Sequence, residues 1–501
     1  MTAARAAPAS LRLDAEVIVV GAGFGGLGLA IQLKKARRDS FIVLERAADV
    51  GGTWRDNIYP GCACDIPAML YSFSFERSAN WTRIYPAQSE ILAYLKRTAR
   101  ERGLLEHIRF NSDVVEARFD ASTVTWTVAL ATGNVLRSRI LVCAMGPLNK
   151  PNFGDIPGRP TFTGPSFHSS QWDHSVDLAG KNVAVIGTGA SAIQFVPQVA
   201  PRTGKLTIFS RTPPWIIPRR DAPVGARRKI ARAWFPFYAR LERLAIYWML
   251  EIRALGFAFK PELLERQESA MRRFIERSVP DPLLRAKVTP AYRAGCKRIL
   301  ISDDYYPTLA RANVELVNAA VAEVRADSVV TSDGREVPAD VIIYGTGFKA
   351  TQGFAPVRIH GRNGIEIGDV WRDGMHAYLG TSVSGFPNFF LVIGPNTGLG
   401  HNSMIVMMEA QYRYIVGAIE HARNTIAPAL DVKPGVMQAF NAGLQRRMRG
   451  TVWATGCSSW YQDARGKNVS LWPGFTFVFR MLTSRFDAGM YAAVGAAEHD
   501  S

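Results

Sequence analysis

The sequence predicts an α/β fold made of two Rossmann-like dinucleotide-binding domains with a helical insertion in the second. Two observations carry this: a run of β-formers opening into a glycine-rich turn and an apolar helix occurs twice, and a helical, arginine-rich stretch follows the second occurrence. The first run, Glu16-Val17-Ile18-Val19-Val20, leads into Gly21-Ala22-Gly23-Phe24-Gly25-Gly26. Gly21, Gly23 and Gly26 permit a tight turn and let backbone N–H groups approach a pyrophosphate at the positive end of a helix. The next strand, Phe41-Ile42-Val43-Leu44, ends at Glu45, where a carboxylate accepts hydrogen bonds from ribose hydroxyls.

The second run, Asn182-Val183-Ala184-Val185-Ile186, precedes Gly187-Thr188-Gly189-Ala190-Ser191-Ala192. Gly187, Gly189 and Ser191 repeat the phosphate cradle. After Leu206-Thr207-Ile208-Phe209 comes Ser210-Arg211-Thr212, with no carboxylate to pair with a free 2′-hydroxyl and a cation suited to a 2′-phosphate. This favours NADP over NAD. Between the cradles lies a spaced signature, Phe162-x-Gly164-x-x-x-His168-x-x-x-Trp172-Asp173.

At 501 residues and 48% apolar content, the chain suits a globular enzyme of two or three domains. The sequence divides into a discontinuous first domain (1–147 and 340–501), a nicotinamide domain (151–218 and 288–338) and a helical insertion (219–287). Val341-Ile342-Ile343-Tyr344, running into Gly345-Thr346-Gly347, reads as the strand that opens the return to the first domain.

The formal charge is +17, yet no zinc-finger spacing, RNP-like strand or basic tail accompanies it, which argues against nucleic acid as a partner. The insertion holds sixteen basic and eight acidic residues. Its aromatics, Trp234, Phe235, Phe237, Tyr238, Tyr247 and Trp248, fit either a peripheral membrane contact and substrate channel or helices packed on the nicotinamide domain; the packed reading is favoured. The stretch 374–408 lacks Asp, Glu, Lys and Arg, but Gly, Pro, Asn and His401 interrupt it, so it reads as a buried strand and a glycine turn, not a transmembrane segment.

Five scattered cysteines show no disulfide framework and point to a reducing cytoplasm. Cys62 and Cys64 lack a second pair at metal spacing, so no metal is expected. Residues 1–12 have no apolar core for a signal peptide and read as a frayed tail.

Together these motifs resemble the type I Baeyer–Villiger monooxygenases, a branch of the class B flavoprotein monooxygenases. The linker signature matches at Phe162, Gly164, His168, Trp172 and Asp173. A second fingerprint, Gly51-Gly52-x-Trp54, Tyr59-Pro60-Gly61 and Asp65, is complete, and Gly345-Thr346-Gly347 resembles the interdomain connection. Gly295-Cys296-Lys297-Arg298 resembles the segment that delivers the family's active-site arginine.

The resemblance implies FAD in the first cradle and NADPH in the second. It implies an O2-dependent reaction that inserts one oxygen atom beside a ketone carbonyl, through a C4a-peroxyflavin, to give an ester or lactone. By the same resemblance Arg298 and Asp65 are catalytic. Thr53, Trp54, Asp65 and Tyr71 surround the flavin; Lys297, Arg211 and Thr212 hold NADP; Trp460 lies near the nicotinamide; His168 orders the interdomain linker. The implied substrate is a hydrophobic small-molecule ketone, linear, cyclic or polycyclic. Two alternatives remain at this point: a heteroatom (S/N) oxygenase of the same superfamily, against which Arg298 argues, and a non-oxygenating NADPH-flavin reductase, which would need a redox pair such as the absent Cys-x-x-Cys.

Overall fold

Continuous apolar runs, buried on both faces, become the parallel strands of two separate sheets, as expected when side chains pack on each side. The computed structural model describes residues 12–78, 80–352, 357–425 and 429–495; residues 1–11 of the amino-terminal tail lie outside the described residues.

In the first sheet, Ala15–Val20 lies between Phe41–Leu44 and Val135–Cys143, all parallel. The meander Val114–Asp120, Thr125–Leu130 and Val135–Cys143 extends it in antiparallel fashion. Two later strands complete it: Arg358–His360 on Val114–Asp120, and Phe389–Leu391 on Val135–Cys143. The long helix Met404–Asn424 then returns over the first glycine turn, where the Tyr412 hydroxyl donates to the Phe24 carbonyl at 2.8 Å.

The second sheet has five parallel strands in the order Val314–Val317, Lys205–Phe209, Asn182–Ile186, Val341–Tyr344 and Ser166–His168. This corrects the division at residue 340. Val341–Tyr344 sits inside the second sheet, paired on both sides. The cause is local: Asp340 accepts from the Asn182 amide through Oδ2 at 2.7 Å and returns its own amide to the Asn182 carbonyl at 2.7 Å, which locks the register. The chain rejoins the first sheet only at Arg358–His360.

The insertion is closed at its base by a short parallel pair, Ile216–Ile217 with Leu300–Ile301. It contains the helices Ala226–Trp234, Pro236–Glu251, Glu262–Ser278 and Pro282–Val288, with a π-helical turn at Leu255–Phe259. Pro236–Glu251 does not dock on the nicotinamide sheet. Arg243 donates to the Met69 and Ser72 carbonyls, just past the Gly51–Asp65 fingerprint, at 2.5 and 2.9 Å. Glu251 is buried and accepts from Asn402 Nδ2 (2.6 Å), Thr476 Oγ1 (2.8 Å) and the Thr476 amide (2.5 Å). Burial alone would raise the Glu251 pKa; the hydrogen bonds and nearby His401 hold it below its ordinary value. The insertion's aromatics also differ from the packed reading, because Trp234, Phe235, Phe237 and Trp248 are exposed while Tyr247 is buried.

Stretch 374–408 contributes the buried strand Phe389–Leu391. Among the described residues, no helix is long and apolar enough to cross a membrane.

The cysteines do not remain separate. Cys296 and Cys457 form a disulfide across 161 residues of sequence, with Cα atoms 6.1 Å apart, while Cys62, Cys64 and Cys143 are free and buried. The pairing was invisible because folding brings the insertion exit against the carboxyl-terminal loop, and it removes the cysteine argument for a reducing compartment. Thiol titration of the denatured, unreduced chain should therefore count three thiols, rising to five after a dithiol reductant; five at the start would show that the bridge does not form.

Candidate active site

The two glycine turns are near copies in three dimensions. Gly21 and Gly187 have φ values of +103° and +104°, and a Cβ on either would lie 2.8 Å from the Ala144 carbonyl oxygen or 2.5 Å from that of Gly345. Each turn thus passes directly over the end of a neighbouring parallel strand, and only glycine fits. The helices Phe24–Lys35 and Ala192–Val199 follow, so the positive end of each points into its cleft.

The first cleft is lined by Gly23, Glu45, Thr53, Trp54, Tyr71 and Asn149, among others. Glu45 Oε2 accepts from the Ala22 amide at 2.8 Å, and Oε1 accepts from the Ala47 amide (3.0 Å) and Arg55 Nη1 (2.8 Å). A carboxylate has about four lone-pair sites, so this buried group retains acceptor capacity for a ribose hydroxyl. The residues fit the adenosine end of a dinucleotide. Deeper in, Trp54 Nε1 donates to the Tyr71 hydroxyl at 3.1 Å.

At the second cleft, Gly189 and Ser191 lie at the helix start, and Arg211 and Thr212 follow the strand Lys205–Phe209. Lys297 lies 4.9 Å from the centroid of the Tyr292 ring. Its pKa is lowered, first by burial and then by the Arg211 charge. Two cations near each other, one of them just past that strand, fit a 2′-phosphate.

Asp65 and Arg298 tie the fingerprint segment beside the first cradle to the segment that leaves the insertion. Both Arg298 Nε (3.1 Å) and Nη2 (2.5 Å) donate to Asp65 Oδ2 across 233 residues of sequence. Each side chain retains 27% exposure, so the pair is shielded yet still reached by solvent. Asp65, more strongly than opposing burial, pushes the Arg298 pKa up, so the guanidinium is a permanent charge. Arg298 is two residues from Leu300–Ile301, whose pairing with Ile216–Ile217 fixes where the arginine emerges. The second fingerprint docks across the clefts as well: Tyr59 donates to Gln194 Oε1 (2.9 Å), and Gln194 Nε2 donates to the Ala63 carbonyl (3.0 Å).

Sequence reading missed Tyr461. Its phenol is buried beside Arg298 and Asp65, and its pKa is pushed up to about 12, by burial first, with Arg298 opposing. No motif marks it; only its neighbour Trp460 was singled out. Trp460 is 47% exposed with its ring 4.4 Å from that of Tyr461. Cys457, three residues earlier, ties this loop to the residue two before Arg298.

The linker signature is structural in its contacts. Asp173 accepts from the Ser175 amide (2.8 Å) and hydroxyl (2.5 Å), closing a turn. Trp172 packs on Phe195 with ring centroids 5.2 Å apart. Phe162 borders the core of the second sheet, and Gly164 lies beneath its ring. His168 is fully buried between Phe153 and Phe348 and accepts from the Ser170 amide through Nδ1 at 3.1 Å. Among the described residues, no His/Cys/Asp/Glu group is arranged to hold a metal.

Comparison with known proteins matches this geometry. The family model described as pyridine nucleotide-disulphide oxidoreductase matches residues 18–225. A Baeyer–Villiger monooxygenase of Streptomyces coelicolor is 46% identical over 485 residues, covering 96% of this chain and 93% of that one. Another, of Pseudomonas aeruginosa, is 44% identical over 488 residues, covering 97% and 92%. The chain belongs to the Baeyer–Villiger monooxygenase family. Among solved structures, OTEMO in complex with FAD and NADP superposes with a TM-score of 0.86 at 26% identity, covering 95% of this chain and 98% of that one. Membership makes the protein an FAD- and NADPH-dependent flavoprotein monooxygenase that inserts oxygen next to a ketone carbonyl.

Burial lowers the His168 pKa to about 4, so its imidazole is neutral in the fold. The unfolded chain takes up that proton near the ordinary value of about 6.5. Stability from this site is therefore intact above pH 6.5 and declines as pH falls toward 4. Between pH 7 and pH 5 the loss should be roughly 2 kcal/mol by linkage, and His168→Gln should abolish that part of the pH dependence in denaturant unfolding. An unchanged pH dependence in the variant would place the titrating group elsewhere.

Proposed function

We propose that Arg298, steered by Asp65, is the catalytic cation of this monooxygenase and that a hydrophobic ketone is its substrate. The overall conversion consumes ketone, O2, NADPH and a proton and yields ester or lactone, water and NADP+. FAD, when bound, supplies hydride acceptance from NADPH and activation of O2. The guanidinium stabilises negative charge on the attacking oxygen and polarises the ketone carbonyl, because it cannot deprotonate and is held before the reaction begins. The observation that carries the reading is the shared acceptor: two Arg298 nitrogens donate to one oxygen of Asp65, leaving Nη1 outside that contact.

Gly21, Gly23, Gly26 and Glu45 hold the adenosine end of FAD, and Thr53, Trp54 and Tyr71 border its reactive end. Gly187, Gly189, Ser191, Arg211, Thr212 and Lys297 hold NADPH, with Trp460 near the nicotinamide. The signature from Phe162 to Asp173 orients one unit against the other, with His168 as the buried pin. Two nucleotide domains around an insertion, with the second ending near residue 345, suit this assignment. The enzyme's use of NADPH supports a cytoplasmic site of action.

Arg298→Ala should keep its fold and bound FAD but lose ester formation by at least ~100-fold, as removal of a preorganised charge typically does. Asp65→Ala should lose less. Product mass after aerobic incubation with NADPH and a ketone panel measures this; undiminished ester formation by Arg298→Ala would move the catalytic cation elsewhere. In the same assay NADPH should outperform NADH, and Arg211→Ala with Lys297→Ala should narrow the gap.

A further inference from the structure

The insertion presents a surface that the oxygenation reaction does not use. Along Pro236–Glu251 and the residue after it, Phe237, Leu241, Leu244, Trp248 and Ile252 recur at spacings of four, three, four and four, which places them on one helical face. All five are exposed, Phe237 at 70%. Trp234 at the end of the preceding helix is 77% exposed, with Phe235 beside it in the corner. The surface continues beyond the insertion: Trp248 meets Phe477 with ring centroids 6.1 Å apart, Phe259 stacks on Phe475 at 4.9 Å, and Met481 is exposed. So many neighbouring exposed apolar side chains exceed the scattered single apolar residues normal on a soluble monomer.

Charge decides what covers it. Arg227, Arg240, Lys260 and Arg480 are exposed around the patch and make no ion pair among the described residues. The carboxylates of the two helices are both consumed internally. Glu242 is held by Arg228 and Arg232, and Glu251 is buried under Asn402 and Thr476. The face therefore offers cations and apolar side chains but no free carboxylate. A twofold contact with a second copy would set these cations against one another. An anionic lipid surface supplies the missing charge, takes up the apolar face, and suits Trp and Tyr at its boundary.

We propose that the insertion is a peripheral docking surface for anionic phospholipid bilayers, through the exposed face of Pro236–Glu251 and the Trp234–Phe235 corner. The opposite side of the same helix holds the Met69 and Ser72 carbonyls through Arg243, beside Tyr71 in the flavin cleft. Docking thus brings the oxygenation site to the phase in which apolar ketones concentrate.

The test is flotation of FAD-loaded full-length enzyme with vesicles of phosphatidylcholine alone or phosphatidylcholine mixed with phosphatidylglycerol. The enzyme should float with the anionic vesicles, less with the neutral ones, and less again at high salt. Trp234→Ser with Phe237→Ser and Trp248→Ser should remain in the lower fraction while retaining flavin and turnover of a small water-soluble ketone. If that variant does not fold, Arg227→Glu with Arg240→Glu should lose the preference for anionic vesicles with the apolar face intact. Wild-type enzyme that stays below with both vesicle types overturns the proposal. So does a dimer, seen by light scattering, that the same apolar substitutions dissociate, since the face would then be a self-interface.

Discussion

The contact between Arg298 and Asp65 is the constraint on which the rest of the molecule depends. It joins two segments 233 residues apart, one leaving the insertion and one in the fingerprint beside the first cradle. A guanidinium in a partly closed cleft is tolerable only with a carboxylate against it, and a carboxylate there needs the cation equally. Neither charge can therefore be placed there without the other. The short pair Ile216–Ile217 with Leu300–Ile301 gains its meaning from this, because it sets where the arginine leaves the insertion.

Around that contact the protein uses one solution twice. Gly21 and Gly187 adopt nearly the same backbone angle over the ends of equivalent strands, and each launches a helix toward its cleft. What differs is the end of the following strand. Glu45 in the first unit is a buried acceptor, whereas Arg211 and Lys297 at the second form a cationic pair. The two cradles thus differ most in charge where their second strands end: a carboxylate at the first, a cation at the second.

The parts that sequence made legible are those in which chemistry and local geometry coincide. A glycine that must adopt positive φ, or a strand buried on both faces, leaves its mark on neighbouring residues. Arg298 and Asp65 were legible through resemblance, not through spacing. Partnerships between distant segments were not legible. Val341–Tyr344 reads as a good strand for either sheet, and its pairing with two strands of the second sheet, held at one end by Asp340 and Asn182, shows which one it joins. Cys296 and Cys457 lie 161 residues apart with no spacing to link them, and Tyr461 belongs to no pattern. The insertion's helical period was evident, but period alone does not say which of two apolar faces meets the protein and which meets solvent; Arg243 and Glu251 made that choice.

The bridge from Cys296 to Cys457 couples two loops that otherwise share no element. On one side it is two residues from the guanidinium; on the other, three residues from an exposed indole and four from a buried phenol. The backbone stretches carrying Arg298, Trp460 and Tyr461 are consequently parts of a single short lever. The bridge therefore limits how far the loop carrying the indole can move from the segment carrying the cation while the sulfurs remain joined.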